Sequence, residues 1–413
     1  MEARAEARPS NERLVAPASF GHKSGMSADI HGQCAERFAA VREVFAENFR
    51  SRDEIGAAVA VTVDGAPVVD LWAGHGDPGR TRRWERDTIV NIYSCTKALT
   101  AFCAHQLVER GELDLDAPVA HYWPEFAAAG KARIPVRWLL SHRAGLAAVK
   151  TPLPTEALYD WTAMCDALAA QEPWWEPGTQ HGYHAVTFGW LVGEVVRRIT
   201  GRSLGTYFRE AIAQPLGLDL HIGVDEAEHG RIADMSEIPT DAVSADAMGL
   251  AQIIFADPQS MPALAFLNPP ALALGPNNAA WRSAEIPGAN GHGGARDLAR
   301  LYGALACGGD LDGVHVLSRE SIARLATEQS HGPDLVLQVT TRFGLGVMLS
   351  QDQPDARFGS ASGFGHPGAG GSVGFADPSR RIGFGYVMNR MGPKILLDPR
   401  AVALIEAVYA CAR

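Results

Sequence analysis

The sequence predicts an α/β protein, an antiparallel sheet flanked by helices with a mainly helical stretch inserted between its halves. Three observations predict it. The early chain reads helix, strand, tight turn, strand, helix. The chain after residue 288 reads as a helix, then glycine-rich β-branched segments, then a closing helix. Between them, helical runs are broken by Pro and Gly loops, and strand signals are weak. A chain of 413 residues is long for a single domain. The expected division is a loose tail over 1–30, a discontinuous α/β unit over 31–110 and 286–413, and a mainly helical unit over 111–285.

Each element has its own reason. Residues 1–30 are polar and carry Pro9, Pro17 and several Gly and Ser, as loose chain does. Phe38, Val41, Phe45 and Phe49 recur at helical spacing over 35–50. Small and β-branched residues over 57–63 make a strand. Asp64-Gly65 tolerates the positive φ of a hairpin turn, and 67–72 returns. An extended run over 89–93 leads into a helix over 94–110, which Gly111 stops. Helices are expected over 157–170, 187–200 and 204–213 in the middle. Residues 290–294 read as a loop into a helix over 295–306. Strands follow over 343–349, 370–375 and 382–388, with Asp377-Pro378 as a turn, and a helix over 404–411 ends the chain.

Composition removes whole classes of function. Thirty-seven basic against 47 acidic side chains give a net charge of −10, and Lys and Arg form no run. Nucleic-acid binding driven by overall charge is excluded. No apolar stretch is long enough to span a bilayer. Residues 1–14 are charged and lack an apolar signal core. The six cysteines show neither CxxC pairs nor metal-ligand spacing. Reduced thiols in a cytoplasmic protein are the expectation.

The sharpest local feature is Ser94-Cys95-Thr96-Lys97. Of five lysines (23, 97, 131, 150 and 394), Lys97 alone has Ser three residues before it. At a helix start the two side chains share a face. The positive end of the helix stabilises a serine alkoxide and disfavours a protonated amine, and partial burial lowers the lysine pKa further. A neutral amine beside Ser94 can take its proton, the logic of an activated nucleophile. An N-cap serine with a solvated lysine is the structural alternative.

The block 92–119 around this pair resembles the nucleophile helix of the serine β-lactamase and penicillin-binding-protein superfamily. The class C β-lactamase-like esterases (family VIII carboxylesterases) are the branch it resembles most. The segment 139–146, LLSHRAGL, and Glu176-Pro177-Gly178 followed by Tyr183 resemble two further family motifs in order, and the likeness runs from about residue 35 to the C-terminus. The resemblance implies a β-lactamase-like fold with the active site between the two units. It implies Ser94 as nucleophile, with Lys97 and Tyr183 as one coupled base. It matches His366-Pro367-Gly368 to the family's K-T-G strand. There the N–H of Ala369, or of Gly370, would join that of Ser94 as an oxyanion hole, with glycines letting substrate approach the backbone. Ala185 stands where many β-lactamases carry the Asn that holds a substrate amide. His366 stands where they carry a lysine that attracts a carboxylate. Both departures point from β-lactams toward esters without a carboxylate.

Other signals are weaker. Residues 370–374 satisfy G-x-S-x-G, but a turn and Pro378 follow instead of a helix, and no His lies downstream, so an α/β-hydrolase triad cannot be completed. His181 and His184 have no partners at metal-ligand spacing, although His184 is a candidate pocket wall beside Tyr183. Trp174 and Trp175 are candidates for an aromatic wall against an acyl or alcohol group.

The expected function is hydrolysis of short-chain carboxylic esters through an acyl-enzyme on Ser94, with a small-molecule ester as partner and no cofactor or metal. The alternatives are a β-lactamase or D-amino-acid peptidase, an acyltransferase to an alcohol, and a penicillin-recognising protein that binds without catalysis. Oligomeric state and the natural ester are not encoded legibly.

Overall fold

The computed structural model describes residues 28–237 and 243–412. Nearly all of the expected tail lies outside the described residues. The strands, in chain order, begin with β1 (His31–Cys34), β2 (Gly56–Val63), β3 (Ala66–Gly74), β4 (Ile89–Tyr93), β5 (Leu220–Ile222), β6 (Ile232–Ala233) and β7 (Gly291–Gly293). They continue with β8 (Asp310–Leu311), β9 (Val314–His315), β10 (Ser330–Pro333), β11 (Thr340–Phe343), β12 (Met348–Leu349), β13 (Phe364–Pro367), β14 (Val373–Asp377) and β15 (Ile382–Met388).

The main sheet has nine strands in the order β1-β3-β2-β15-β14-β13-β12-β11-β10, every neighbouring pair antiparallel. This is the expected α/β architecture. Asp64 and Gly65 take φ of 52° and 80° and make the turn between β2 and β3. Strand β1 was not expected, because four polar or small residues at a sheet edge give no alternation to read.

The glycines of β15 have a packing reason. Helix Ala295–Ala306 lies directly on β2, β14 and β15. A Cβ at Gly383 would sit 2.2 Å from the backbone nitrogen of Gly303, so the strand must be bare for the helix to approach. Alternate residues point to the other face. There the Tyr386 hydroxyl meets Glu54, just past helix Ala39–Ser51, and Glu54 pairs with Arg400 of helix Pro399–Cys411. The sheet is therefore covered on both sides.

Several local expectations are corrected. A second, four-stranded sheet has the order β5-β7-β4-β6, with β4 and β6 parallel. Residues 291–293, expected as loop, are its strand β7; strands of two or three residues are too short for a period to show. The run 343–349 is two strands separated by a turn in which Gly346 has φ of 88°. Gly370 and Gly371 belong to a turn, and β14 starts at Val373. The helix over 204–213 changes from α to π at Arg209. The helix over 157–170 becomes a 3-10 turn and an α-helix from Trp161, capped by the Asp160 carboxylate, which accepts from Ala163 N at 3.0 Å. Helices Thr187–Thr200 and Ala295–Ala306 stand where expected. Helices Ala245–Ala256 and Met261–Leu267 were not foreseen. Among the described residues no helix is long and apolar enough to cross a membrane.

Gly383→Val should lower the stability by about 1–3 kcal/mol or more through overpacking between strand and helix. Urea unfolding of the variant against the parent measures it.

Candidate active site

Strand β4 ends in a strained residue. Tyr93 has φ of 44°, a left-handed conformation costly for a bulky side chain. Its carbonyl accepts a hydrogen bond from the Thr96 hydroxyl, whose oxygen accepts in turn from Gly291 N at 2.7 Å. This brace lets the chain reverse from strand into helix Cys95–Glu109 with Ser94 at its N-cap. Ser94 is half-buried, whereas Lys97 is wholly buried.

Lys97 Nζ lies 3.1 Å from Ser94 Oγ, 2.7 Å from the Ala185 carbonyl and 2.6 Å from the Gly288 carbonyl. Burial holds its pKa well below the usual lysine value. A neutral amine has two N–H bonds and one lone pair. The carbonyls can only accept, so they take both N–H bonds, and the lone pair is left for the Ser94 hydroxyl. The loop bearing Gly288 is pinned by Asn290, whose amide donates to the Trp281 and Ala284 carbonyls at 2.7 and 2.6 Å and accepts from Ile286 N. Thr100 holds the adjacent Pro287 carbonyl at 2.7 Å.

Tyr183 lies across the same amine, with Lys97 Nζ 4.6 Å from its ring centroid. Phe343 stacks on it at 6.1 Å and 12°, and the rings of His142 and His366 lie 5.0 and 5.9 Å away. Burial pushes the Tyr183 phenol up, against a smaller pull down from its hydrogen bond to Ser94. Burial thus favours the hydroxyl form of Tyr183 over the phenolate. Its backbone is held by Asp334, whose Oδ1 accepts from the N–H of Tyr183, Val336 and Leu337 at 2.9–3.0 Å. His184 is a staple: Nδ1 donates to the Gly182 carbonyl at 2.7 Å and Nε2 accepts from Leu146 N at 3.1 Å. His142 accepts from His184 N through Nδ1 and from Gly182 N through its carbonyl.

Strand β13 closes the other side. His366 is buried, its Nδ1 donates to the Pro367 carbonyl at 2.7 Å, and its Nε2 has no partner among the described residues. Burial lowers its pKa to about 3, so it offers no cation to a carboxylate at neutral pH. The Cys95 thiol donates to the His366 carbonyl at 3.1 Å. A Cβ on Gly368 would lie 2.3 Å from the Ile92 carbonyl oxygen, so glycine lets β13 meet the end of β4. The turn that follows exposes Ala369. Among the described residues no hydrogen-bond partner takes the N–H of Ser94 or of Ala369.

Gly370 has φ of 82°, and its carbonyl accepts from Gly392 N at 2.7 Å and Arg400 Nη2 at 3.1 Å. Arg400 also pairs with Glu54 and Asp398 at 2.9 and 2.7 Å. The turn after β13 is thus tied to a buried ionic cluster on the far face of the sheet.

Two further residues singled out in the sequence have these surroundings. The Trp175 ring packs against Gly182 and His184. It also lines a cavity of about 610 Å³ whose walls include Arg133 and Trp138 but not Ser94, Lys97 or Tyr183. Ser372 is buried between β13 and β14, two strands with no helix after them, so it is no nucleophile elbow. Among the described residues no three His, Cys, Asp or Glu side chains gather as a metal site. Sequence reading missed the carbonyls of Ala185 and Gly288, and Asp334 and His142 as props. A backbone carbonyl has no residue-type signature, and Asp334 stands in no motif.

A family model described as Beta-lactamase matches residues 41–407. The chain belongs to the beta-lactamase family. Within it, the chain is 38% identical over 376 residues to "Esterase/beta-lactamase LipL" of Mycobacterium tuberculosis, covering 89% of this chain and 85% of that one. A solved penicillin-binding protein homolog from Caulobacter crescentus matches at 43% identity and a TM-score of 0.84, over 93% of this chain and all of its own. A solved family VIII carboxylesterase matches at 42% and 0.81 with the same coverage. The beta-lactamase fold is therefore this chain's fold, and the antiparallel sheet flanked by helices is its hallmark here.

Two outcomes follow from the geometry. Gly368→Ala should push β13 away from β4, cut ester turnover by about tenfold or more and lower the thermal unfolding temperature as well; steady-state kinetics and thermal melts of the purified variant read the two effects. Burial raises the Glu54 carboxyl pKa to about 7, above its unfolded value. The stability this protonated group contributes is complete below the unfolded pKa and is lost as pH rises through about 7. Glu54→Gln should therefore flatten the fall in Tm between roughly pH 5 and 8 relative to the parent.

Proposed function

We infer that the protein is a serine hydrolase that cleaves short-chain carboxylic esters through an acyl-enzyme on Ser94. The observation that carries this is the coordination of Lys97: two carbonyls occupy its N–H bonds and Ser94 Oγ faces the remaining position. Lys97 takes the Ser94 proton as Oγ bonds to the ester carbonyl carbon. The free N–H groups of Ser94 and Ala369 receive the oxyanion, at roughly 10²–10³ in rate per donor. The carbon–alkoxide bond then breaks, and Tyr183 passes the proton from Lys97 to the leaving alcohol. Water repeats the sequence on the acyl-enzyme, returning Ser94 and releasing the acid. Gly368 and Gly370 shape the turn that presents Ala369.

The neutral His366 and the absence of a side-chain amide at Ala185 support an ester without a carboxylate. The relatives named as an esterase and as a carboxylesterase support the same class. The name of the first also favours β-lactam hydrolysis as a weaker second activity of this site. The proposed organisation sets the site between the unit 31–110 with 286–413 and the unit 111–285: Ser94, Lys97 and His366 come from one, Tyr183 from the other. Six free cysteines support a reducing, cytoplasmic setting.

Ser94→Ala should lower kcat on p-nitrophenyl butyrate by roughly 10³-fold or more. The parent should show an acid limb in kcat/KM as Lys97 protonates, a limb absent in the residual activity of Lys97→Met. Undiminished hydrolysis by Ser94→Ala would remove the assignment. Efficient nitrocefin turnover without ester turnover would reverse the two activities.

A further inference from the structure

Among the described residues five large apolar side chains are exposed: Met248, Ile253, Phe255, Leu267 and Leu274. All five fall within one stretch of 27 consecutive positions, 248–274. Phe255 is 79% exposed and Leu274 66%. Helix Ala245–Ala256 carries a single ionisable residue, Asp246, and none of its residues is buried. A helix that is apolar nearly all round normally lies inside a protein. Here it packs on helix Met261–Leu267, with more than half of its residues exposed and the rest half-buried. A concentration of this kind marks a surface that something apolar covers.

Its tethers say where it lies. At one end Ser244 N donates to the Pro393 carbonyl at 3.3 Å and Asp246 meets Lys394 at 3.5 Å. That loop also carries Met391, which packs over Gly370 beside the exposed Ala369. At the other end Asn268 donates to the carbonyls of Val149 and Thr151, both at 2.9 Å. That loop continues from Leu146, whose N–H binds His184 next to Tyr183. The apolar stretch is therefore tied at one end to the loop beside Ala369 and at the other to the loop beside Tyr183.

We propose that the surface over 245–274 docks the enzyme on an uncharged ester phase, so that the substrate class includes aggregated neutral lipid esters as well as dissolved ones. Charge decides between an ester phase and an anionic bilayer. Helices that lie on such bilayers carry Lys and Arg on a polar face; this one carries none, on a chain of net charge −10.

The proposal rests on the esterase reading, and two measurements separate them. Hydrolysis of dissolved p-nitrophenyl acetate reads catalysis without docking. Flotation of Ser94→Ala protein with tributyrin droplets reads docking without catalysis. The parent rate on tributyrin should rise above its hyperbolic extrapolation once the ester exceeds its solubility. Phe255→Asp, with Met248→Asp if needed, should lower the emulsion rate and droplet binding by about tenfold and leave kcat/KM on p-nitrophenyl acetate unchanged. Flotation without any hydrolysis of the dissolved ester would overturn the esterase reading and leave the docking surface standing. Equal emulsion rates for parent and variant would overturn the docking surface. So would light scattering that shows the parent dimeric and the Phe255→Asp variant monomeric, because the surface would then be a self-contact.

Discussion

Everything at this site depends on how one buried amine is surrounded. Lys97 meets carbonyls from residues 185 and 288, distant from each other and from residue 97 in sequence. Lys131 supplies the contrast. It is also buried, yet its Nζ donates to three carbonyls, those of Ala128, Ala169 and Gln171. Three acceptors demand three N–H bonds, so Lys131 is an ammonium that staples loops together. At Lys97 a hydroxyl replaces the third carbonyl, and the same side chain becomes a base.

The rest of the fold keeps that arrangement in register. The Tyr93 backbone is held in its left-handed conformation by Thr96 and β7, and the reversal it causes aims Ser94 outward. Asp334 and His142 fix the backbone on either side of Tyr183, leaving its ring to lie between Phe343 and the amine. Arg400 ties the Gly370 turn to Glu54 across the thickness of the sheet. Few of these groups touch the reacting atoms. They are buried polar groups whose hydrogen bonds are nearly all spent on backbone, which is why the site is built from fixed main chain as much as from side chains.

Much of this was legible in the sequence, for reasons that differ by residue. Ser94 and Lys97 stand three apart in a chain poor in lysine, and a helical turn brings that spacing together. The β2–β3 hairpin announced itself through Asp64-Gly65, and helices Thr187–Thr200 and Ala295–Ala306 through their period. The second sheet did not, because two- and three-residue strands carry no alternation and owe their shape to partners far along the chain. The carbonyls of Ala185 and Gly288 were invisible in principle, since any residue could supply them. Helix Ala245–Ala256 escaped because it lacks the two-faced pattern by which surface helices are recognised, and that lack is itself what sets it apart in three dimensions.

The close approach at Gly368 has a consequence for how such a protein can change. On that side main chain packs against main chain, Gly368 against the Ile92 carbonyl. No existing side chain sets this spacing, and the first carbon added at residue 368 forces the two strands apart in one step. New substrate preferences must therefore arise on the opposite wall and at the rim, where side chains do the bounding.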